Sequence, residues 1–191
     1  MGNTELYNNQ EYGTWAMREG LILAEEYLFS KYVFKLDKRK KILDIGTGNG
    51  RFLFELAKKG FNDLHGIDLA ENLLSVAQKK SSDYYPFINI YKMDASCLKF
   101  NGNTFDIILA LQQIISFIDD NEMRTKAFNE CYRILKPQGL ILFSFLHYEG
   151  RWHNLILSFL ISIIKLYKKE IKYLNQQLRW MGLSRPITIN I

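Results

Sequence analysis

Along the middle of the chain, apolar and polar positions alternate between two periods. Residues 41–46, KILDIG, form a short apolar run closed by glycine, the pattern of a strand buried on both faces. Residues 51–59 follow at helical spacing. Leu53, Leu56 and Ala57 share one face, Lys58 and Lys59 sit at the negative end of the helix dipole, and Gly60 is the stop. The same alternation then repeats. Strands are predicted at 63–69, 88–94, 105–111 and 140–145, and a second helix at 71–80. Asp119 and Asp120 are candidate caps for a helix running to about Leu135, with Ala127, Phe128, Cys131 and Leu135 spaced to face a sheet. This order predicts an α/β protein built on a doubly wound, mostly parallel sheet.

Composition narrows the class without naming a chemistry. The 191 residues are 48% hydrophobic and 24% charged, which suits one globular unit with a proper core. Cys97 and Cys131 lie far apart with no CxxC or Cys/His clustering, so neither a disulfide framework nor a metal site is expected, and a reducing, cytoplasmic setting fits. The N-terminal MGNTELYNNQEYG has no basic-then-apolar signal pattern, and Leu6 breaks a myristoylation motif. A net charge of +5 is that of a lysine-rich solvated surface and does not by itself indicate an anionic partner.

The chemistry is carried by residues 42–50, ILDIGTGNG, where Gly46, Gly48 and Gly50 alternate with Thr47 and Asn49 in the first strand-to-helix turn. Glycine loses more backbone freedom on folding than other residues, so three in one turn imply close approach of a ligand to bare backbone. A dinucleotide fold would show G-x-G-x-x-G, but Arg51 stands where the third glycine belongs, and no phosphate-loop G-x-x-x-x-G-K-[ST] is present. Asp44, two residues before the first glycine, would repel a pyrophosphate and suits a ligand carrying an ammonium group.

This combination resembles the class I S-adenosylmethionine-dependent methyltransferases of small-molecule type. DIGTGNGRF is similar to their first motif, Asp68 in HGIDLAENLL ends the second strand, Asp94 in YKMDAS follows the third, and RILKPQGLILFS is similar to their RxLKPGG segment, with Gln138 in place of a glycine. The resemblance covers residues 41–145 and implies a strand order 3-2-1-4-5. It implies S-adenosylmethionine as cofactor, held by Asp44, Gly46, Thr47, Gly48 and Gly50 in the loop, by Asp68 and Leu69 at the ribose, by Asp94 and Ala95 at adenine, and by Ala110, Leu111 and Gln112 at the methionine end. For Arg51 two roles stay open, facing the cofactor carboxylate or standing solvated. His147 in FLHYE is the candidate catalytic base, with an ordinary pKa of about 6.5, and is needed only if the acceptor carries a proton to remove. The fourth motif reads ALQQ, unlike the [DNS]PP[YF] of adenine methylases, which argues against DNA as the target.

Three segments are expected: 1–36 as a helical lid, 37–150 as the cofactor-binding core, and 151–191 as a C-terminal helix with a short tail. Tyr12 and Trp15 are candidate lid residues on a helix running from about residue 10 to Tyr32. The apolar stretch 155–164 followed by Lys165, Lys168, Lys169 and Lys172 predicts a helix too short to span a membrane, suited to packing, to a peripheral membrane surface or to an acceptor wall. Only residues 186–191, PITINI, read as a strand after Phe145, so the C-terminal edge of the sheet is expected to be incomplete, through truncation or through pairing in a homodimer. The function expected is methyl transfer to a small-molecule acceptor. The alternatives are a non-catalytic S-adenosylmethionine-binding partner subunit and an RNA methyltransferase, the latter disfavoured because no RNA-binding module is visible.

Overall fold

The computed structural model describes residues 18–118, 120–146, 159–167 and 170–173. The first element among the described residues is helix α1, Leu23–Tyr32, followed by strand β1, Ile42–Ile45, helix α2, Arg51–Lys58, and strand β2, Leu64–Asp68. Helix α3, Glu71–Tyr84, leads to β3, Ile88–Lys92, and β4, Phe105–Ala110. A short 3-10 turn, Ile114–Phe117, precedes α4, Asn121–Ile134, which runs into β5, Leu135–Leu146. Two further strands, β6, Phe159–Tyr167, and β7, Glu170–Tyr173, end the described chain.

The seven strands form one sheet in the order β3-β2-β1-β4-β5-β6-β7, with β1, β2, β3, β4 and β5 parallel to one another. All four residues of β1 are buried, which is why its sequence is nearly all apolar: it is the central strand and is covered on both faces. Its alternation divides the core. Ile42 packs with Leu28 and Phe29 of α1 and Leu53 and Leu56 of α2, whereas Leu43 and Ile45 pack with Ala127, Cys131 and Ile134 of α4. Asp44 therefore lies on the α1 and α2 face, in register between Gly66 of β2 and Leu109 of β4.

At the start of β4, Asp106 accepts from Lys40 Nζ (3.1 Å), the Lys41 N–H (3.0 Å) and Lys136 Nζ (2.8 Å). These contacts tie the N-terminal ends of β1, β4 and β5 together. The opposite, C-terminal ends are where such sheets receive ligands. Asp120 caps α4 as expected, its Oδ1 accepting from the N–H groups of Glu122 (2.7 Å) and Met123 (3.3 Å).

Two expectations give way. The helix predicted from residue 10 starts, in its described part, only at Leu23, because Gly20 adopts a left-handed backbone (φ +71°) and the Glu25 carboxylate caps the helix start by accepting from the Ile22 N–H (3.0 Å). The apolar run predicted as a C-terminal helix contains β6 instead, antiparallel to β5 in the register Phe143↔Ser162. Ile161, Ile163 and Ile164 are β-branched, and β5 presents an unpaired backbone edge that a helix could not satisfy. With β7 set antiparallel beside β6, Lys165 opposite Lys172, the edge expected to be incomplete is extended by two strands. Tyr12, Trp15, His147 and PITINI lie outside the described residues.

Candidate functional site

The turn from β1 into α2 carries the glycines, and their backbone explains two of them directly. Gly46 has φ +71°, and a Cβ there would stand 2.5 Å from the Ile114 side chain; Gly50 has φ +80°, and a Cβ would stand 2.9 Å from the Phe54 ring. Gly50 is thus required by the left-handed start of α2 and by packing below it. At Gly48 (φ +55°) the nearest atom, in Leu73, is 3.7 Å away, so bare backbone there opens onto space rather than onto a neighbour.

That space is a cleft over the C-terminal ends of β1, β2, β3 and β4. Gly46, Thr47, Gly48, Asp68, Leu69, Asp94, Ala95 and Gln112 all line it. Asp68 ends β2, and its Oδ2 accepts from the Gly48 N–H (2.8 Å) while Oδ1 accepts from the Ala70 N–H (2.9 Å), which locks the carboxylate against the glycine loop. Asp94, beyond β3, accepts on Oδ1 from both the N–H and the hydroxyl of Ser96, each at 2.8 Å. Met93, Leu73, Ile114, Phe117 and Ile118 supply the apolar part of the lining.

Asp44 sits beneath this cleft, 1% exposed, and its Oδ2 and the neighbouring Thr47 Oγ1 are buried without a hydrogen-bond partner. Burial pushes the Asp44 carboxyl up to about 7, against the pull of the Arg51 charge, with Asp68 and Glu25 adding to the rise. Such an orphaned pair at the root of a glycine loop fits a ligand that brings a cation or an N–H donor. Ala110 and Leu111 are buried in the two core clusters, one on each face of the sheet, and do not line the cleft.

Arg51 is neither solvated nor free. Its guanidinium meets Glu25 of α1 as a two-pronged pair, NH2 to Oε1 at 2.6 Å and NH1 to Oε2 at 2.7 Å, and NH1 also donates to the Gly20 carbonyl at 2.8 Å. The Gln112 amide donates to the same Glu25 Oε1 at 2.8 Å. Burial works against the Glu25 charge, but the Arg51 hydrogen bonds, the Ile22 N–H, the Arg51 charge and Gln112 together hold its carboxyl below the usual carboxylate range. Gln112 and Gln113 both have positive φ (59° and 60°), and the Gln113 N–H is held by Ser144 Oγ at 2.8 Å. Sequence reasoning did not find Glu25; its one trace is an acid on the stripe Glu25, Leu28, Phe29 that α1 turns inward.

Residues 42–139 match the family described as Methyltransferase domain. The chain belongs to the class I S-adenosylmethionine-dependent methyltransferases. Among its relatives, the putative methyltransferase YqeM of Bacillus subtilis is 32% identical over 108 residues, which cover 56% of this chain and 43% of that protein. The ubiquinone/menaquinone biosynthesis C-methyltransferase UbiE of Rickettsia prowazekii is 37% identical over 105 residues, 51% of this chain and 41% of that protein. Among solved structures, phosphoethanolamine N-methyltransferase 2 of Haemonchus contortus, in complex with phosphomonomethylethanolamine and S-adenosylhomocysteine, aligns with a TM-score of 0.58 at 27% identity, over 70% of this chain and 32% of that one. The chain thus spans less than half the length of these relatives. Within the methyltransferase core, the acids at the ends of β2 and β3 and the glycine loop after β1 face one cleft. No group of three His, Cys, Asp or Glu side chains among the described residues is placed to hold a metal ion.

Proposed function

We propose that this methyltransferase domain binds S-adenosylmethionine in the cleft and directs its methyl group to a small-molecule acceptor. The observation that carries the reading is the Asp68 carboxylate bonded to the Gly48 N–H, which sets an acceptor of hydrogen bonds and a bare glycine backbone side by side in the lining of one cleft. Asp68 would take the ribose hydroxyls, Asp94 and Ala95 the adenine edge, and the unpartnered Asp44 Oδ2 and Thr47 Oγ1 fit the ammonium of the amino-acid end, directly or through water. When bound, the cofactor supplies a methyl group already activated by a sulfonium.

What the chain contributes is mostly position: a nucleophile aligned opposite the sulfur gains much of its acceleration from orientation. A base is required only for an acceptor that bears a proton, and His147 is the residue proposed for it. The names of the relatives, a quinone-biosynthesis enzyme and a phosphoethanolamine enzyme, support a small acceptor over a nucleic acid.

Calorimetry tests the cofactor. S-adenosylhomocysteine should bind and NAD should not, and Asp68→Ala should weaken binding by roughly 1 to 3 kcal/mol, the scale of hydrogen bonds lost from a charged group. Unchanged affinity in that variant, or binding of NAD alone, would overturn the assignment. Turnover of methyl-labelled cofactor with pools of small acceptors then separates an enzyme from a non-catalytic cofactor-binding subunit.

A further inference from the structure

Strand order places the two ends of the cleft far apart. Asp68 and Asp94 stand at the tips of β2 and β3, on one side of the glycine loop, and Gln112 stands past the tip of β4 on the other. A ligand whose nucleoside lies at Asp68 and Asp94 therefore extends its other end over the loop toward Gln112 and Arg51. At that end Glu25, which lies before the matched family residues and comes from α1, is bonded to both Arg51 and Gln112.

Four donors converge on the Glu25 carboxylate: both Arg51 NH groups, the Ile22 N–H and the Gln112 amide. The pair is deeply shielded, the Arg51 side chain 10% exposed and that of Glu25 5%. An ionised carboxylate only accepts, so Gln112 must commit its NH2 to Glu25, and its amide oxygen is then the atom left for a ligand in the cleft. The same carboxylate neutralises Arg51 and holds the guanidinium against α1 and the Gly20 carbonyl, so Arg51, which lines the cleft, meets it as one half of an ion pair and not as a free cation.

We propose that Glu25 is a positioning residue for the amino-acid end of the cofactor: by fixing Gln112 and Arg51 it presents a hydrogen-bond acceptor, and no unpaired positive charge, to the ligand's ammonium group. This rests on the reading of the cleft as a cofactor site. The left-handed backbone of Gln112 fits such a role, because a strained conformation at the tip of β4 is kept in place by the contact its side chain makes with Glu25.

The test compares two ligands by calorimetry, S-adenosylhomocysteine and 5′-methylthioadenosine, which shares the nucleoside thioether but lacks the amino-acid end. Glu25→Gln replaces one accepting oxygen by a donor where four donors must be met, and Gln112→Asn is too short to reach Glu25 while tolerating the left-handed backbone. Each variant should bind S-adenosylhomocysteine at least about tenfold more weakly and 5′-methylthioadenosine within about twofold of the unaltered protein. A merely structural role would lower both affinities together, and that outcome, or no loss for either ligand in Gln112→Asn, overturns the proposal. Gln112→Asn leaves the Glu25–Arg51 pair intact and decides the matter even if Glu25→Gln does not fold. If the unaltered protein binds neither ligand, it is the cofactor reading that fails.

Discussion

The two sides of the cleft are built differently. On the β2 and β3 side, each acid is held by groups close in the chain or within one strand-helix-strand unit: Asp94 by Ser96 two residues on, Asp68 by Ala70 and by Gly48 twenty residues back. On the β4 side, Glu25 holds Arg51 across 26 residues and Gln112 across 87, all through side chains. The first side is made mainly of backbone donors that the fold provides anyway. The second exists only if α1 docks, so it joins the stability of the N-terminal helix to the geometry of the site.

The largest expected effect breaks the second side. Arg51→Met keeps an apolar stem over the Phe52 ring but leaves the buried Glu25 carboxylate without its counter-charge, and removing one partner of a buried pair costs about 3 to 5 kcal/mol. Urea denaturation should show that loss, whereas Asp68→Ala should stay within about 1 kcal/mol of the unaltered protein, its losses appearing in ligand binding instead. If the two variants were equally destabilised, the contrast between a backbone-held side and a side-chain-held side would not stand.

Asp44 lies beneath both sides and gives the next effect, read through pH. Its carboxyl is raised from 3.8 to about 7 in the folded chain, so the folded state holds a proton that the unfolded chain releases. The stability from this group is full below the unfolded value and is lost as pH rises from about 4 through 7, at up to about 1.4 kcal/mol per pH unit. His65 adds a smaller slope of the opposite sign: burial depresses its pKa below the ordinary 6.5 despite Asp63, so its contribution is present above that value and is lost as pH falls below it. Asp44→Asn should flatten the loss between pH 4 and 7 measured by urea unfolding of the ligand-free protein. A profile identical to that of the unaltered chain would show that Asp44 ionises freely in the folded state.

The same division explains what the sequence revealed. The glycine spacing was legible because a turn that a ligand approaches closely needs bare backbone, Asp68 and Asp94 were picked out by the family resemblance and line the same cleft, and the alternation of periods marked the strands of the parallel core. Glu25 was not legible, since a pairing across 87 residues leaves no local period, and an acid at the start of an exposed-looking helix reads as a dipole partner. Nor was Arg51, whose partner is that same acid. β6 was misread for a different reason: FLISIIKLY is a short apolar run, and only the free edge of β5 decides between strand and helix.

The smallest expected effect sharpens the comparison at a single backbone conformation. Gln112, Gln113 and Gln138 all adopt positive φ, a conformation that costs a side-chain-bearing residue roughly 1 to 2 kcal/mol. Gln138 is exposed in the bulge opposite Phe105 to Ile107 and is not among the residues lining the cleft, so Gln138→Gly should raise stability by up to about 1 kcal/mol, the unfolded chain's extra freedom offsetting part of the relief. Gln112→Gly relieves the same strain but also removes the bond to Glu25, worth about as much, and should leave stability near its starting value. Thermal unfolding of the two variants side by side checks this. Equal gains would mean that the Gln112 bond contributes nothing to holding α1 against the core beside the site, and the long-range side of the site would then rest on the Arg51 pair alone.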